Sequence, residues 1–300
     1  VDTSILILGT GALATLFAAR LASAGAQVTL LGSWLEAVQA LNTHGVRLIG
    51  LDGKEQVASV RATDNASECR QASLALVLVK AWQTERAAGL LEDCLSADSL
   101  AVTLQNGLGN RETLARTIGP QRVAIGVTTM GATLLGPGIV RVGGEGTISL
   151  EAHPRIGPLE ESLRLAGFEV SVVEDAISLL WGKLVINAAI NPLTALVQVP
   201  NGELLQRPSL LQLMIDLATE VAVVARAYGI ALPFDDPAEA AMRIAQRTAL
   251  NRSSMLQDVL RGAPTEIDAI CGEVVRLGEA KGVPTPVNRA MWSLVRGLRD

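Results

Sequence analysis

Short runs of aliphatic and β-branched residues alternate with longer amphipathic stretches through the first half of the chain. Ile5–Leu8, Val28–Leu31, Leu74–Val79, Ser99–Leu104 and Val123–Val127 are apolar with little polar alternation, as strands covered on both faces of a parallel sheet must be. Leu13–Ala24, Gln83–Leu91 and Asn110–Thr117 lie between them and are long enough for crossover helices. This alternation predicts a doubly wound α/β domain. The segment from Gly131 to Leu150 carries six glycines. Its runs Ile139–Val142 and Thr147–Leu150 predict an antiparallel pair joined by Gly143-Gly144-Glu145-Gly146. Phe168–Val173 predicts a last strand.

After about Asp175 the strand patterns stop. Helical periodicity takes over at 175–197, 208–229, 236–250, 265–281 and 286–298. Pro200, Pro208, Gly229, Pro233, Pro264, Gly282 and Pro284 mark the joints. The expected organisation is an α/β domain over 1–174 and an all-helical domain over 175–300, with a cleft between them.

Composition narrows the function classes. Lys and Arg number 25 against 30 Asp and Glu, a net charge of −5, so the basic excess that nucleic acid binding needs is missing. Apolar residues make up 49% of the chain and charged residues 18%, which favours burial over disorder. The longest unbroken apolar run, Leu74–Val79, has six residues. A bilayer crossing needs ~20, so no transmembrane helix is expected. Cys69, Cys94 and Cys271 form no CxxC pair, which suits a reducing compartment. His44 and His153 have no ligand-spaced partners, so neither a metal site nor a His-based triad is expected. No secretory pattern opens the chain, and the expected location is cytoplasmic.

Gly9-Thr10-Gly11-Ala12-Leu13-Ala14 follows the first strand and opens a helix. The first glycine suits a tight turn, and the second lets backbone N–H groups approach a pyrophosphate at the helix N-terminus. Ala14 keeps helix and strand close. A second strand ends about twenty residues on, and together these features predict a Rossmann-type dinucleotide site. At that strand end stands Ser33, where NAD sites usually place an acidic residue and NADP sites an Arg nearby. Lys80, just after Leu74–Val79, is a candidate cation for the cofactor. The expected fold class is therefore an α/β Rossmann-type N-terminal domain followed by an all-α C-terminal domain.

The helical stretch 179–192 is strongly apolar, yet Lys183, Asn187 and Asn191 recur at i, i+4 and i+8 on one face. Unpaired buried polar groups are costly, so such a row points to a wet or ligand-filled cleft. A lysine snorkelling past an edge beside two locally bonded asparagines would produce the same pattern. Asn106 ends a strand run at the edge where open α/β sheets bind ligands; Asn-Gly is also ordinary turn chemistry. Ser254 and Glu266 belong to a further polar segment, with Thr265 as an expected helix N-cap and Asp268 at N3.

Over nearly its whole length the chain resembles the ketopantoate reductases. The resemblance is carried by GTGALA at the N-terminus, LVKAWQ at 78–83, QNGLGN at 105–110, GVTTMGA at 126–132, WGKLVINAAINPLTAL at 181–196, PNGEL at 200–204, and SSMLQD and TEID at 253–258 and 265–268. It implies NADPH-dependent reduction of 2-dehydropantoate to (R)-pantoate in pantothenate biosynthesis. It further implies Lys183 as the catalytic lysine and Glu266 as the group that binds the substrate hydroxyl. Asn106, Asn187, Asn191, Asn201 and Ser254 match positions that contact substrate or hold the lysine. Gly9, Thr10, Gly11, Ala12, Leu13, Ser33, Lys80, Gln83 and Asn106 fall at the cofactor. The chain departs from the family pattern at Ala14, at Ser33 where many relatives have Arg, at Met130 where His is common and at Cys271 where Asn is common.

Hydride delivery to a ketone creates an alkoxide, which an ammonium stabilises and then protonates. Lys183 can do both, with the side-chain oxygen of Asn106 or Asn187 expected to hold its amine. The implied partners are a small 2-oxo acid and NADPH/NADP+, with no metal, nucleic acid or membrane, in a monomer or homodimer. Two other readings of the same residues stay open: a reductase of another branched 2-oxo acid or an opine-type substrate, and a non-catalytic NADP-binding sensor.

Overall fold

A computed structural model of the chain describes residues 4–70 and 72–299. Two compact units emerge, one of Val1–Gln105 with Asn110–Ala176 and one of Asn106–Gly109 with Ile177–Asp300. The short Asn106–Gly109 segment thus groups with the helical half although the residues on both sides of it do not.

In chain order the first unit contains β1 (Ser4–Leu8), α1 (Ala12–Ser23), β2 (Gln27–Leu31), α2 (Leu35–His44), β3 (Val46–Ile49), β4 (Glu55–Ala58), β5 (Arg61–Thr63), β6 (Ala72–Val77), α3 (Thr84–Cys94), β7 (Leu95–Thr103), α4 (Asn110–Ile118), β8 (Val123–Thr128), β9 (Gly131–Gly136), β10 (Ile139–Gly144), β11 (Thr147–Glu151), α5 (Gly157–Leu165) and β12 (Glu169–Val173). An eight-stranded sheet runs in the order β12-β11-β8-β7-β6-β1-β2-β5. From β8 to β5 neighbouring strands are parallel, and β11 joins β8 antiparallel. Strand β1 shows why its sequence lacks polar alternation. Ile5 and Ile7 enter one buried cluster with Leu16 and Phe17, while Leu6 and Leu8 enter another with Leu91 and Leu114. Both faces of the strand are core.

The glycine-rich segment differs from its expected hairpin. Strand β10 pairs with β9 and β3 in a separate four-stranded sheet ordered β4-β3-β10-β9, whereas β11 pairs with β8 and β12. The glycines serve close approach instead of a tight turn. A Cβ on Gly143 would press on the Gly131 backbone, and one on Gly146 would collide with Thr129. Thr129 and Thr147 then exchange bonds that launch β11 into the larger sheet. Strands β3 to β5 and helices α2 and α5 had no sequence prediction: their amphipathic patterns are short.

The second unit contains α6 (Ala176–Val197), α7 (Glu203–Gln206), α8 (Pro208–Ala227), α9 (Pro237–Arg247), α10 (Ser254–Leu260), a π-helical turn over Asp268–Gly272, α11 (Glu273–Lys281) and α12 (Pro286–Arg296). By length and composition alone, α6 and α8 are apolar enough to cross a membrane, against the sequence expectation. Both are core helices here. Trp181, Leu184, Val185, Ala188 and Leu193 of α6 share one buried cluster with Met214, Leu217, Val221 and Val224 of α8. The predicted helix 265–281 is two pieces, since α-helical bonding begins only at Glu273. Thr265 is accordingly no α-helix cap. Its hydroxyl accepts from the Ile267 N–H, at 3.4 Å, and the Asp268 carboxylate turns away to Trp292.

Candidate active site

In the second unit the site grows from α6. Lys183, Asn187 and Asn191 share one face of the helix, and Thr194, eleven residues past the lysine, continues the row because 3.6-residue turns bring it back to the same side. Lys183 and Asn187 are half-buried and Asn191 is buried. Among the described residues none of these three side chains makes a hydrogen bond within the protein, so all three remain available to a ligand. Gly182 lets the chain pass beside Lys183, because a Cβ there would collide with Pro233.

Burial lowers the Lys183 amine from its ordinary value of 10.5 to about 8, while the charge of Glu266 works in the opposite direction. Desolvation wins although the residue keeps some exposure, since its amine has no salt-bridge partner within 4 Å among the described residues. The asparagines therefore differ from expectation. Neither Asn106 nor Asn187 holds the lysine. Asn106 Nδ2 instead donates to Glu266 Oε2 at 3.0 Å. Glu266 is buried, and a charge-assisted bond of this kind offsets part of the penalty of keeping a carboxylate there.

Ser254 is exposed at the first position of α10. Its neighbour Ser253 is the N-cap, accepting from the Leu256 N–H at 3.1 Å and sharing a buried 2.7 Å hydroxyl–hydroxyl bond with Thr194. That bond ties the Ser254 segment to the far end of the polar row. Neither Thr194 nor Ser253 was among the predicted site residues, although the helical period that exposes the row also contains Thr194. Asn201 is buried and engaged elsewhere. Its amide donates to Thr248 Oγ1 at 2.9 Å and its N–H to the Asn251 carbonyl at 3.0 Å, while its Oδ1 has no partner among the described residues.

The first unit holds the remaining predicted residues. Strands β6, β1 and β2 are adjacent, and Lys80, Gly9 and Ser33 follow their carboxyl ends, the ligand edge of an open α/β sheet. Gly9 has φ of +117° and donates its N–H to the Leu31 carbonyl at 2.8 Å, so the fold itself requires glycine there. Gly11 is different. Its φ of −81° suits any residue, and an added Cβ would meet nothing within 4 Å. Nothing in the protein needs glycine at this position, as expected where backbone is left bare for a ligand. The N-terminus of α1 has no side-chain cap and no acidic residue in its first turn, so Ala12 and Leu13 present N–H groups of the kind that bind anions. The cradle fits a dinucleotide pyrophosphate.

Thr10 is buried against Gly32, whose Cβ would clash with the threonine methyl. Ser33 is exposed and followed by Trp34, whose indole donates to Glu36 Oε2 at 3.3 Å. On the other side, Gln83 Oε1 accepts from the Lys80 N–H at 3.3 Å. A buried network braces that loop: Gln105 Nε2 donates to the Val79 carbonyl at 3.0 Å and to Thr84 Oγ1 at 2.8 Å, and Thr84 bonds Asn110 at 2.8 Å.

Two family models, "Ketopantoate reductase PanE/ApbA" over residues 5–155 and its C-terminal counterpart over 175–299, match this chain. A 2-dehydropantoate 2-reductase of Archaeoglobus fulgidus is 38% identical, covering 98% of this chain and 97% of its own. A solved PanE/ApbA family ketopantoate reductase from Ralstonia eutropha superposes with a TM-score of 0.92 at 36% identity, covering 99% of each chain. A D-mandelate dehydrogenase solved with NADH and anilino(oxo)acetate superposes with a TM-score of 0.93 at 26% identity, again over 99% of each.

Proposed function

The chain belongs to the ketopantoate reductase family, and we propose that it reduces 2-dehydropantoate to (R)-pantoate with NADPH, a step of pantothenate biosynthesis. The reading is carried by one observation. Lys183, whose amine burial lowers to about 8, shares a helix face with Asn187 and Asn191, none of the three side chains bonded among the described residues, within the electrostatic reach of a buried glutamate.

When bound, a reduced nicotinamide would supply the hydride to C2 of the oxo acid. Lys183 supplies the proton. Its amine is largely protonated at neutral pH, and its lowered value makes it a stronger acid than an ordinary lysine. The ammonium faces the carbonyl oxygen, stabilises negative charge as it develops, and then transfers a proton from Nζ to it. Glu266, held by Asn106, accepts a hydrogen bond from the substrate's 4-hydroxyl. A site built to bond a hydroxyl rejects analogues lacking it far better than an apolar pocket does. Asn187 and Asn191 offer amide donors and acceptors to the rest of the oxo acid, and Ser254 donates to its carboxylate. Asn201 acts from behind, tying the 248–251 segment to the turn after α6. Gly9 through Leu13 would cradle the pyrophosphate, Lys80 and Ser33 would hold a 2′-phosphate, and Gln83 fixes the Lys80 loop.

The test is NADPH oxidation by the purified chain with 2-dehydropantoate beside a panel of 2-oxo acids and imines. Turnover best with 2-dehydropantoate supports the reading. NADPH binding without turnover of any member would identify a sensor and overturn it.

Ser33 favours a second reading. The end of β2 carries an exposed serine and, through Trp34, the Glu36 carboxylate, with no cation on that strand end. An NADH-dependent reductase of a different 2-oxo acid would suit such an end, and the D-mandelate dehydrogenase with NADH has the same fold.

A further inference from the structure

The turn that follows Glu266 is wound one residue wider than an α-helix. Gly272 donates to the Ile267 carbonyl at 3.0 Å, and Glu273 donates to Asp268 and Ile270. In an α-helix the Glu273 N–H would go to Ala269. Here the Ala269 carbonyl accepts instead from the Leu108 N–H at 2.9 Å. That approach needs Gly107, which has φ of +79° and whose Cβ would collide with the same carbonyl. The widened turn therefore docks the 106–109 segment, and the docked segment delivers Asn106 to Glu266.

The other side of the turn is held by α12. Trp292 Nε1 donates to Asp268 Oδ1 at 2.7 Å, and its indole lies against Gly272, where an added Cβ would come within 3.1 Å of the ring. The Arg296 guanidinium stacks over the same indole at 5.7 Å. A π-turn is less stable than the α-helix it interrupts and persists where surrounding contacts hold it, often beside functional groups.

Building on the role proposed above for Glu266, we infer that the 268–272 π-turn fixes the hydroxyl-reading carboxylate and that Trp292, through Asp268, is the positioning residue that maintains it. Trp292 touches neither reacting group. It acts by keeping the Ala269 carbonyl aimed at Leu108 and hence Asn106 aimed at Glu266. Losing it lets the turn relax toward α-helical bonding, which withdraws that carbonyl and frees the loop.

The experiment compares two substrates that differ only in the hydroxyl, 2-dehydropantoate and 3,3-dimethyl-2-oxobutanoate, in Trp292→Phe and Asp268→Ala proteins. The first variant deletes the indole donor with the ring mass largely kept, and the second removes the exposed acceptor without entering the core. Each is expected to raise KM for 2-dehydropantoate about tenfold, roughly one hydrogen bond's discrimination. Turnover of the deoxy substrate should change less than about twofold, and the double variant should lie close to the single ones because both remove the Trp292–Asp268 bond, the exposed Asp268–Arg296 pair at 4.0 Å contributing little. A purely structural role would lower activity on both substrates together. That result, or unchanged kinetics in both variants, overturns the inference. Glu266→Gln measured in parallel separates the two levels: if it too fails to discriminate the substrates, the hydroxyl-reading role is wrong and the inference falls with it.

Discussion

Asn106 and Glu266, 160 residues apart in the chain, meet through an amide-to-carboxylate hydrogen bond of 3.0 Å. The bond commits the asparagine's donor to the glutamate, and separately the Lys183 amine has no salt-bridge partner within 4 Å among the described residues. Burial lowers the Lys183 amine to about 8, and the charge of Glu266 opposes that shift.

Replacing Lys183 with Met keeps the side chain to within one atom of its length and removes the proton donor. Loss of an oxyanion-stabilising donor costs about 2.7–4 kcal/mol, so kcat should fall about 100- to 1,000-fold. NADPH affinity, measured by fluorescence titration, should stay within about twofold because the dinucleotide cradle is untouched. Turnover close to the parent's would remove Lys183 from the chemistry.

The pH profile of reduction should carry the same lysine. The acid form is needed, and the amine titrates at about 8. The kcat for oxo acid reduction should therefore hold from pH 6 to 7 and decline through about 8, well before an ordinary lysine would deprotonate. Oxidation of pantoate, which needs the neutral amine as base, should rise over the same interval. A reduction rate flat to pH 10 would contradict the lowered value.

Stability should move the other way. An amine pushed from 10.5 to about 8 resists protonation in the folded protein. Its destabilising effect is complete below about 8 and disappears as pH rises toward 10.5. Lys183→Met should then raise stability at pH 7 by roughly 1–3 kcal/mol, the usual trade at a strained functional site. In urea melts the gain should shrink steadily between pH 8 and pH 10.5. A variant less stable than the parent at pH 7 would show that the lysine is supported by more than its burial suggests.

Local patterns were legible in the sequence where one element answers one constraint. Ile5–Leu8 announces a strand with two covered faces, and the Lys183, Asn187, Asn191 row announces a polar stripe on a core helix. Features that depend on two distant segments were hidden. Gly143 and Gly146 look like hairpin glycines because the sequence does not reveal that they yield room to Gly131 and Thr129. The π-turn depends on Leu108 and Trp292 reaching it from elsewhere, so 265–281 reads as one helix. The sequence offers Asn106 or Asn187 to the lysine because an amide suits either partner; only the fold brings Asn106 to Glu266. Ser254 and Ser253 are adjacent, and the choice between an exposed hydroxyl and a buried cap depends on Thr194.

Cofactor choice should respond to Ser33. The position ends β2, is exposed and has an acidic neighbour in Glu36, so an arginine placed there can reach solvent and a 2′-phosphate without repacking. Ser33→Arg should shift the ratio of kcat/KM for NADPH over NADH upward by about tenfold, the worth of one charge-assisted contact. Lys80→Ala should shift it downward. Should the parent already prefer NADH, and Lys80→Ala leave that preference unmoved, the assignment of Lys80 to the phosphate fails.

The two glycines of the phosphate loop should separate folding from binding. Gly9 has φ of +117°, and its Cβ would come within 3.2 Å of the Leu78 carbonyl, so Gly9→Ser strains the backbone and should destabilise the protein by about 1–3 kcal/mol. Gly11 has an ordinary backbone and open space, and it occupies the N-cap of α1, where serine is a better cap than alanine. Gly11→Ser should therefore melt within about 0.5 kcal/mol of the parent. Its side chain fills the room left for a ligand, and the KM for NADPH should rise by at least about tenfold, as when a cofactor loses close backbone approach. Unaltered cofactor affinity in a stably folded Gly11→Ser protein would mean that the pyrophosphate does not lie on this loop, and the dinucleotide assignment of the first unit would have to be abandoned.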